Sequence, residues 1–404
     1  MIFVGIDWAE EHHDICVLDA NGKRLGYGRV AAGAEGIRRL HALIAEHSDE
    51  PHDVVVGIEV DRGLLVASLL ASGYEVYGVN PFAANRYRER HAVSRAKSDA
   101  GDAKMLADLV RTDRHNHRTV AADTELAGAI KLLARGHQAL IWARQRQVNQ
   151  LRNALRDFYP AALAAFGGDL ATTDAIAVLR IAPTPVLGKA LSRAKIRSAI
   201  QRGGRQRNLD RKAEEIQQAL RAEHLAAPAG VVVAYGAILS ASVAVIAQLS
   251  EQIIALEAQL IASFDEHPDA MIVCSLPGLG HVLGARILGE FGDAPNRYVD
   301  PKARKNYAGT APITRASGKR IAVLARVARN RRLAVTGHLW AFSALTHSDG
   351  ARHYYDVHRG RGHTHNQSLR ALANRLVGIL HGCLEHRTLY SEAIAWPHQM
   401  AVAA

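Results

Sequence analysis

The 404-residue sequence predicts a mixed α/β domain at its N-terminus, then an all-helical region, then a mainly helical C-terminal domain. Three observations carry that reading. Residues 2–79 alternate strand-like apolar runs with helical patterns. From about 120 the texture changes to long stretches rich in Ala, Arg and Gln. Further on, Ile246, Leu249, Ile253, Leu256 and Leu260 recur at alternating steps of three and four, the signature of a coiled-coil seam. The boundaries drawn from these shifts are 1–118, 119–265 and 266–395, with 396–404 as a tail.

Residues 2–7 alternate toward Asp7 and read as a strand. Asp14 to Asp19 reads as a second, and Ala20-Asn21-Gly22-Lys23 is a hairpin turn leading to a third over 25–31. A helix is expected at 34–47, with Ile37, Leu40 and Ile44 on one side. Val54 to Ile58, followed by Glu59, is an almost unbroken apolar run, as in a central strand covered on both faces. A helix over 63–72 ends at Gly73, and 74–79 forms a fifth strand. A further helix starts near Ser98, which puts Asp99 and Asp102 one turn apart on one face. Such a pair repels itself, and a divalent cation relieves the repulsion. Hard oxygen donors at this spacing suit Mg²⁺ or Mn²⁺. Alternatively, Ser98 or Asp99 is an N-cap and Asp102 answers the helix dipole.

Three strands with a hairpin, then helix, strand, helix, strand and helix is the layout of an RNase H/RuvC-like nuclease domain. In that layout one acid ends the first strand, one ends the fourth, and others sit on a late helix. Asp7, Glu59, Asp99 and Asp102 occupy those places, and such a cage can hold two cations that clamp the attacking and leaving oxygens of a phosphodiester. Asp14, Asp19, Asp53 and Asp61 read as ordinary strand-end or turn residues.

Past residue 120, Leu133, Leu140, Val148, Leu151, Leu155 and Phe158 make an apolar stripe that stops at Pro160. Arg135, Arg144, Arg146, Arg152 and Arg156 line a basic face of the same helix. Residues 166–230 read as short helices and basic loops without a specific assignment. No charged residue occurs over 225–250, a length that can span a bilayer, but its Ala, Ser and Gly content points to a buried helix. Leu276-Pro277-Gly278-Leu279-Gly280 before an amphipathic helix looks like a helix-hairpin-helix turn, in which Gly278 and Gly280 let backbone N–H groups reach a phosphate. It is equally a plain Gly-rich connection. Ser317 sits in a basic loop with Arg315, Lys319 and Arg320, cations that would stabilise an alkoxide or a pentavalent phosphate. Arg329, Arg331 and Arg332 extend the positive charge. His353 to Asn366 reads as a basic, His-rich loop before a final apolar helix over 369–384.

The formal net charge is +11 with a pI near 9.7, and arginine far outnumbers lysine, which predicts a polyanionic partner. Three scattered cysteines (Cys16, Cys274, Cys383) without a CxxC argue for a reducing compartment and against a disulfide or zinc framework. The N-terminus does not read as a signal peptide.

Taken together these blocks resemble the DEDD-type transposases of the insertion sequence one-hundred-and-ten (IS-one-ten) family. Val4-Gly5-Ile6-Asp7, Glu59 and Lys97-Ser-Asp99-Ala-Gly-Asp102 match its RuvC-like half. Pro277-Gly278-Leu279-Gly280, Gly309-x-x-Pro312 and Ser317-Gly318 match its transposase half. The resemblance implies a bacterial DNA recombinase, cytoplasmic and nucleoid-associated, that excises and inserts its own element. It implies a composite active site in which Asp7, Glu59, Asp99 and Asp102 hold Mg²⁺ and Ser317 forms a phosphoserine link to DNA. It also implies a structured bridge RNA that pairs with donor and target DNA, and a homo-oligomer, a dimer assembling to a tetramer, built partly through the coiled coil. Two readings compete with it: a hydrolytic, Mg²⁺-dependent junction nuclease in which Ser317 is structural, and a non-catalytic nucleic-acid-binding protein on an old nuclease scaffold.

Overall fold

A computed structural model describes residues 1–91, 98–117, 119–120, 123–318, 320–326 and 329–397. The chain divides into two compact units, Met1–Ala122 and Asp123–Ala404.

In the first unit β1 (Ile2–Trp8), β2 (His12–Leu18) and β3 (Arg24–Ala31) form an antiparallel meander, with Gly22 at φ 83° in the connecting turn. Helix α1 (Ala34–Ala45) leads to β4 (Val54–Ile58), which lies parallel to β1. Helix α2 (Leu64–Ala71) leads to β5 (Glu75–Gly78), parallel to β4. The sheet order is β3-β2-β1-β4-β5, and α3 (Pro81–His91) and α4 (Asp99–Asp113) complete the unit. Strand alternation sends Val4, Ile6, Val56 and Ile58 to one apolar core with α1 and α2, and Phe3 and Val55 to another with α4.

Two glycines set where α4 lies. Gly5 and Gly57 are directly paired across β1 and β4. A Cβ on Gly5 would stand 1.9 Å from the Ala103 carbonyl oxygen, and one on Gly57 2.7 Å from that of Leu106. The bare backbone lets α4 sit on the sheet, and its first turn falls beside the ends of β1 and β4. Gly5→Ala is therefore expected to destabilise the unit by about 3 kcal/mol, because backbone must move rather than a side-chain tip. Gly128→Ala, a helical position with open space around it, is expected to stabilise by about 0.5–1 kcal/mol. Chemical denaturation of the two variants checks the contrast.

The second unit opens with α5 (Glu125–Phe158), capped by Thr124 and ended ahead of Pro160. Five short helices follow: α6 (Pro160–Phe166), α7 (Thr173–Ile181), α8 (Pro185–Ala190), α9 (Arg193–Arg202) and α10 (Leu209–Arg221). Helix α11 (Ala229–Asp265) then returns antiparallel along α5: Tyr235 donates to Asp157 (3.1 Å) and Arg144 to Ser250 (3.3 Å). The apolar repeat over 246–260 is thus used within the chain, where Ile246, Ile253 and Leu260 are buried. By length and composition α11 could cross a membrane, but it is not the buried helix expected: only 22% of its most apolar stretch is covered. Helix α11 packs mainly on α5 and, towards its two ends, on α7 and on the later helix His281–Phe291, which leaves much of its length uncovered, and Val233 and Ile238 stay exposed.

The chain continues through α12 (Ala270–Ser275), α13 (His281–Phe291) and α14 (Pro301–Ala308) to the hairpin of β6 (Ile313–Ser317) and β7 (Arg320–Leu324). It ends with α15 (Arg331–Ala344), α16 (Asp349–Gly360), α17 (His365–Glu385) and α18 (Glu392–Ala395). Three expectations change here. The His-rich segment is mostly helix, because Ser348 caps α16 and Thr364 with Gln367 forms a capping box on α17. Ser317 ends a strand rather than lying in a loop. Trp396, assigned to the tail, is buried in the core of the unit against Gly350 and Tyr354.

Candidate active site

The register of the sheet builds the site. Asp7 on β1 stands directly opposite Asp14 on β2, which stands opposite Arg29 on β3. With the two-residue alternation all three face α4. Glu59 follows β4 on the same side, half-buried. Ser98 caps α4 by accepting from the Gly101 N–H (3.2 Å), which starts the helix at Asp99 and brings Asp99 and Asp102 round on its first turn. Asp102 is buried and Asp99 exposed.

Arginines already answer the two helix acids. Arg88 on α3 donates to Asp102 at 2.7 Å. Arg29 bridges Asp99 (2.9 Å) and Asp14 (2.8 Å), and the Tyr27 hydroxyl also donates to Asp14. His12, Asp14 and Asp99 bring candidate donor atoms within 4.8 Å of one another. Asp14 is therefore not the ordinary strand-end acid its sequence position suggests. It is 1% exposed and part of the cluster. Burial pushes its carboxyl up, but Arg29 and Tyr27 outweigh burial and hold it below the usual range. Asp14 shares a face with Cys16 and Leu18, and that alternation is the signal the sequence offers for it. Nothing local marks Arg29, Arg88 or His12.

Asp7 feels the whole cluster. Burial, then the negative charges of Asp102, Asp99, Glu59 and Asp14, push its carboxyl up to about 6. All four predicted acids thus share one electrostatic field. An all-oxygen donor set with excess negative charge fits a hard divalent cation. With Asp7 as a ligand, a proton on its carboxyl would compete with the cation, and Mn²⁺ affinity would then be level above about pH 7 and drop about tenfold per unit below about pH 6. Calorimetric titration checks this, and a flat profile down to pH 5 would remove Asp7 from the ligand set.

In the second unit Ser317 and Arg315 are exposed on β6, two residues apart and hence on one face. Arg320 is the strand partner of Ser317, and Gly318 turns the chain at φ 55°. Lys319 lies outside the described residues. Gly278, at φ 78°, has an internal role. A Cβ there would stand 2.6 Å from the Ala344 backbone nitrogen, and the adjacent Pro277 carbonyl accepts from Trp340 (3.0 Å). Gly280 is exposed at the start of α13. Arg329 and Arg331 are exposed, whereas Arg332 is turned into the fold, donating to Gln138 (3.1 Å) and lying over Trp142. On the supposed basic face of α5, Arg135 makes a two-point ion pair with buried Glu290 (2.7 and 2.9 Å). Arg332 and Arg135, both counted among the basic residues, are thus tied within the fold.

Residues 4–160 match a DEDD transposase model of IS110 type, described as "Transposase", and residues 270–356 match the model of "Transposase IS116/IS110/IS902 family". The chain is similar to the "Mini-circle putative transposase for IS117" of Streptomyces coelicolor, 43% identical over 100% of this chain and 98% of that protein. It is also similar to the "Insertion element IS116 uncharacterized 44.8 kDa protein" of Streptomyces clavuligerus, 29% identical over 97% and 96%. A third relative is the "Insertion element IS900 uncharacterized 42 kDa protein" of Mycobacterium paratuberculosis, 28% identical over 97% and 98%.

Proposed function

This chain belongs to the IS116/IS110/IS902 family of transposases and acts in DNA transposition, and from that premise we propose how its residues carry out strand exchange. The carrying observation is the convergence of Glu59, Asp99 and Asp102 on Asp7. These four acids would hold Mg²⁺ or Mn²⁺, which would supply Lewis-acid stabilisation to the oxygens of the scissile phosphate. The strand order β3-β2-β1-β4-β5, with acids at the ends of β1 and β4 and on α4, supports an RNase H/RuvC-like reading of this unit.

Ser317 is the nucleophile. Its Oγ forms a bond to phosphorus and releases its proton to water. The phosphorus–oxygen bond to the leaving strand breaks, and that oxygen takes up a proton. Exposure of Ser317 at a hairpin tip, with Arg315 on the same face, supports the role. The phosphoserine link preserves a phosphodiester bond, so strands rejoin without an external energy source. Gly280, Arg315, Arg320, Arg329 and Arg331 contact nucleic acid, and the net charge of +11 suits a structured guide RNA bound beside donor and target DNA. The exposed apolar stripe of α11 joins copies of the chain into a dimer and then a tetramer. The reaction takes place in the bacterial cytoplasm, on nucleoid DNA.

Incubating the purified chain, its copurifying nucleic acid, Mg²⁺ and DNA of its element should give a protein–DNA adduct that survives denaturant. Cleavage without an adduct would favour the hydrolytic junction nuclease. Sequencing of the copurifying nucleic acid should return one structured RNA.

A further inference from the structure

A cavity of about 470 Å³ opens at the foot of the β6–β7 hairpin, entirely within the second unit. Gly309 and Thr310, just before the hairpin, and Arg329, just after it, form one wall. The N-terminal halves of α15 (Arg331 to Leu339) and α17 (Asn366 to Ala373) form the others. Its size lies in the range of sites that enclose one small molecule.

The lining has two chemical characters. Val335, Leu339 and Ala373 give it an apolar floor, while Arg329, Arg331 and Arg370 stand around it, and no carboxylate lines it. Among the described residues none of these three guanidiniums is ion-paired to an acid. Gly309 fixes part of the rim. At φ 71° it lets the Arg329 stem lie across it, and a Cβ there would stand 2.2 Å from Arg329 Cβ. His338 stays uncharged near neutral pH, held low by partial burial, then by His365 and Arg370, so it offers a hydrogen-bonding edge rather than another charge. Asn366 adds an amide with both a donor and an acceptor.

An apolar floor under uncompensated guanidiniums, with an amide at the edge, suits a ligand that is flat and apolar at one end and anionic at the other. We propose that this cavity takes a single nucleotide unstacked from the nucleic acid on which the chain acts. Its base lies over Val335 and Leu339, and its phosphate lies on Arg331 and Arg370. The proposal rests on the reading of this chain as a nucleic-acid enzyme. Removing a base from a duplex costs stacking, and the least costly case is a base that is already unpaired. The pocket therefore selects bulged or mismatched nucleotides beside the hairpin that carries Ser317.

The test uses the full chain and two labelled DNA hairpins, one fully paired and one with a single bulged 2-aminopurine. The bulged hairpin should bind about tenfold tighter, the ratio expected from one base contact and one phosphate contact. Its 2-aminopurine emission should rise as the base leaves the stack. Val335→Trp, which fills the cavity, should remove both effects and leave binding of the paired hairpin unchanged. Arg370→Gln, which leaves the floor intact, should reduce the preference. The same bulge in an RNA hairpin identifies which strand supplies the nucleotide, by whichever preference is larger. Equal binding of both hairpins, or a preference that survives Val335→Trp, would overturn the pocket alone. No binding of either hairpin would overturn the nucleic-acid reading beneath it. Displacement by micromolar adenosine monophosphate without a bulge preference would assign the pocket to a free nucleotide instead.

Discussion

Asp7→Asn is expected to lower DNA strand cleavage by about a thousandfold or more while leaving the first unit folded and slightly more stable. The reasoning starts from crowding. Asp7 ends β1 opposite Asp14 and meets the charges of Asp102, Asp99 and Glu59. Its carboxyl titrates near 6 rather than the ordinary 3.8, so the folded chain holds a proton that the unfolded chain has released. Stability from this group is complete below about pH 4 and is lost as the pH rises through about 6. At neutral pH the metal-free site therefore carries an uncompensated charge, which the neutral amide removes without changing shape. A rise of about 2–4 °C in the melting temperature of the metal-free protein at pH 7.5 is expected, and no difference at pH 4. The same amide is a poorer ligand, so Mn²⁺ should stabilise the variant far less than the wild type. Function here is retained at the expense of stability. A variant that cleaves within tenfold of wild type, or melts lower at pH 7.5, would contradict the assignment of Asp7 as a metal ligand.

Much of this site is legible in the amino-acid sequence, because it depends on local properties of the chain. Asp7 and Glu59 end apolar runs, and Ser98 with the following apolar spacing announces the start of α4. The hairpin at Asn21-Gly22 announces itself through its need for positive φ. What stays hidden depends on register and on packing between distant segments. Asp14 becomes a neighbour of Asp7 only once β1 and β2 pair in one particular register, and a shift by one residue would turn it to the opposite face. Arg88 reaches Asp102 only because α3 packs beside α4. The arginines of α5 illustrate the opposite error. Grouping them as one basic face overlooks that nine residues, half a rotation of the helix, separate Arg135 from Arg144, and Glu290, 155 residues further along the chain, turns Arg135 inward. For the histidines, capping decides against composition. Ser348 and Thr364 outweigh a polar, histidine-rich make-up and render that segment helical.

Ser317→Ala is expected to abolish both the denaturant-resistant DNA adduct and strand exchange, with DNA binding and stability unchanged. The structural cost of the substitution is small. Ser317 is exposed at the end of β6, and no hydrogen bond of its hydroxyl occurs among the described residues, so a change in stability within about 0.5 kcal/mol is expected. A loss of activity can then be assigned to the missing nucleophile rather than to misfolding. Because water replaces an absent alkoxide poorly in a site arranged for a side-chain attacker, residual cleavage should fall by about a thousandfold or more. Ser317→Cys sharpens the test. A thiolate is a competent nucleophile, and a trapped phosphorothioate ester would be cleaved by silver or iodine, which leave a phosphoserine intact. Peptide mapping of the wild-type adduct should place the phosphate between Arg315 and Arg320. Strand exchange by Ser317→Ala at the wild-type rate, or an adduct mapping to another residue, would remove Ser317 from the chemistry. The acids around Asp7 would then serve a hydrolytic reaction instead.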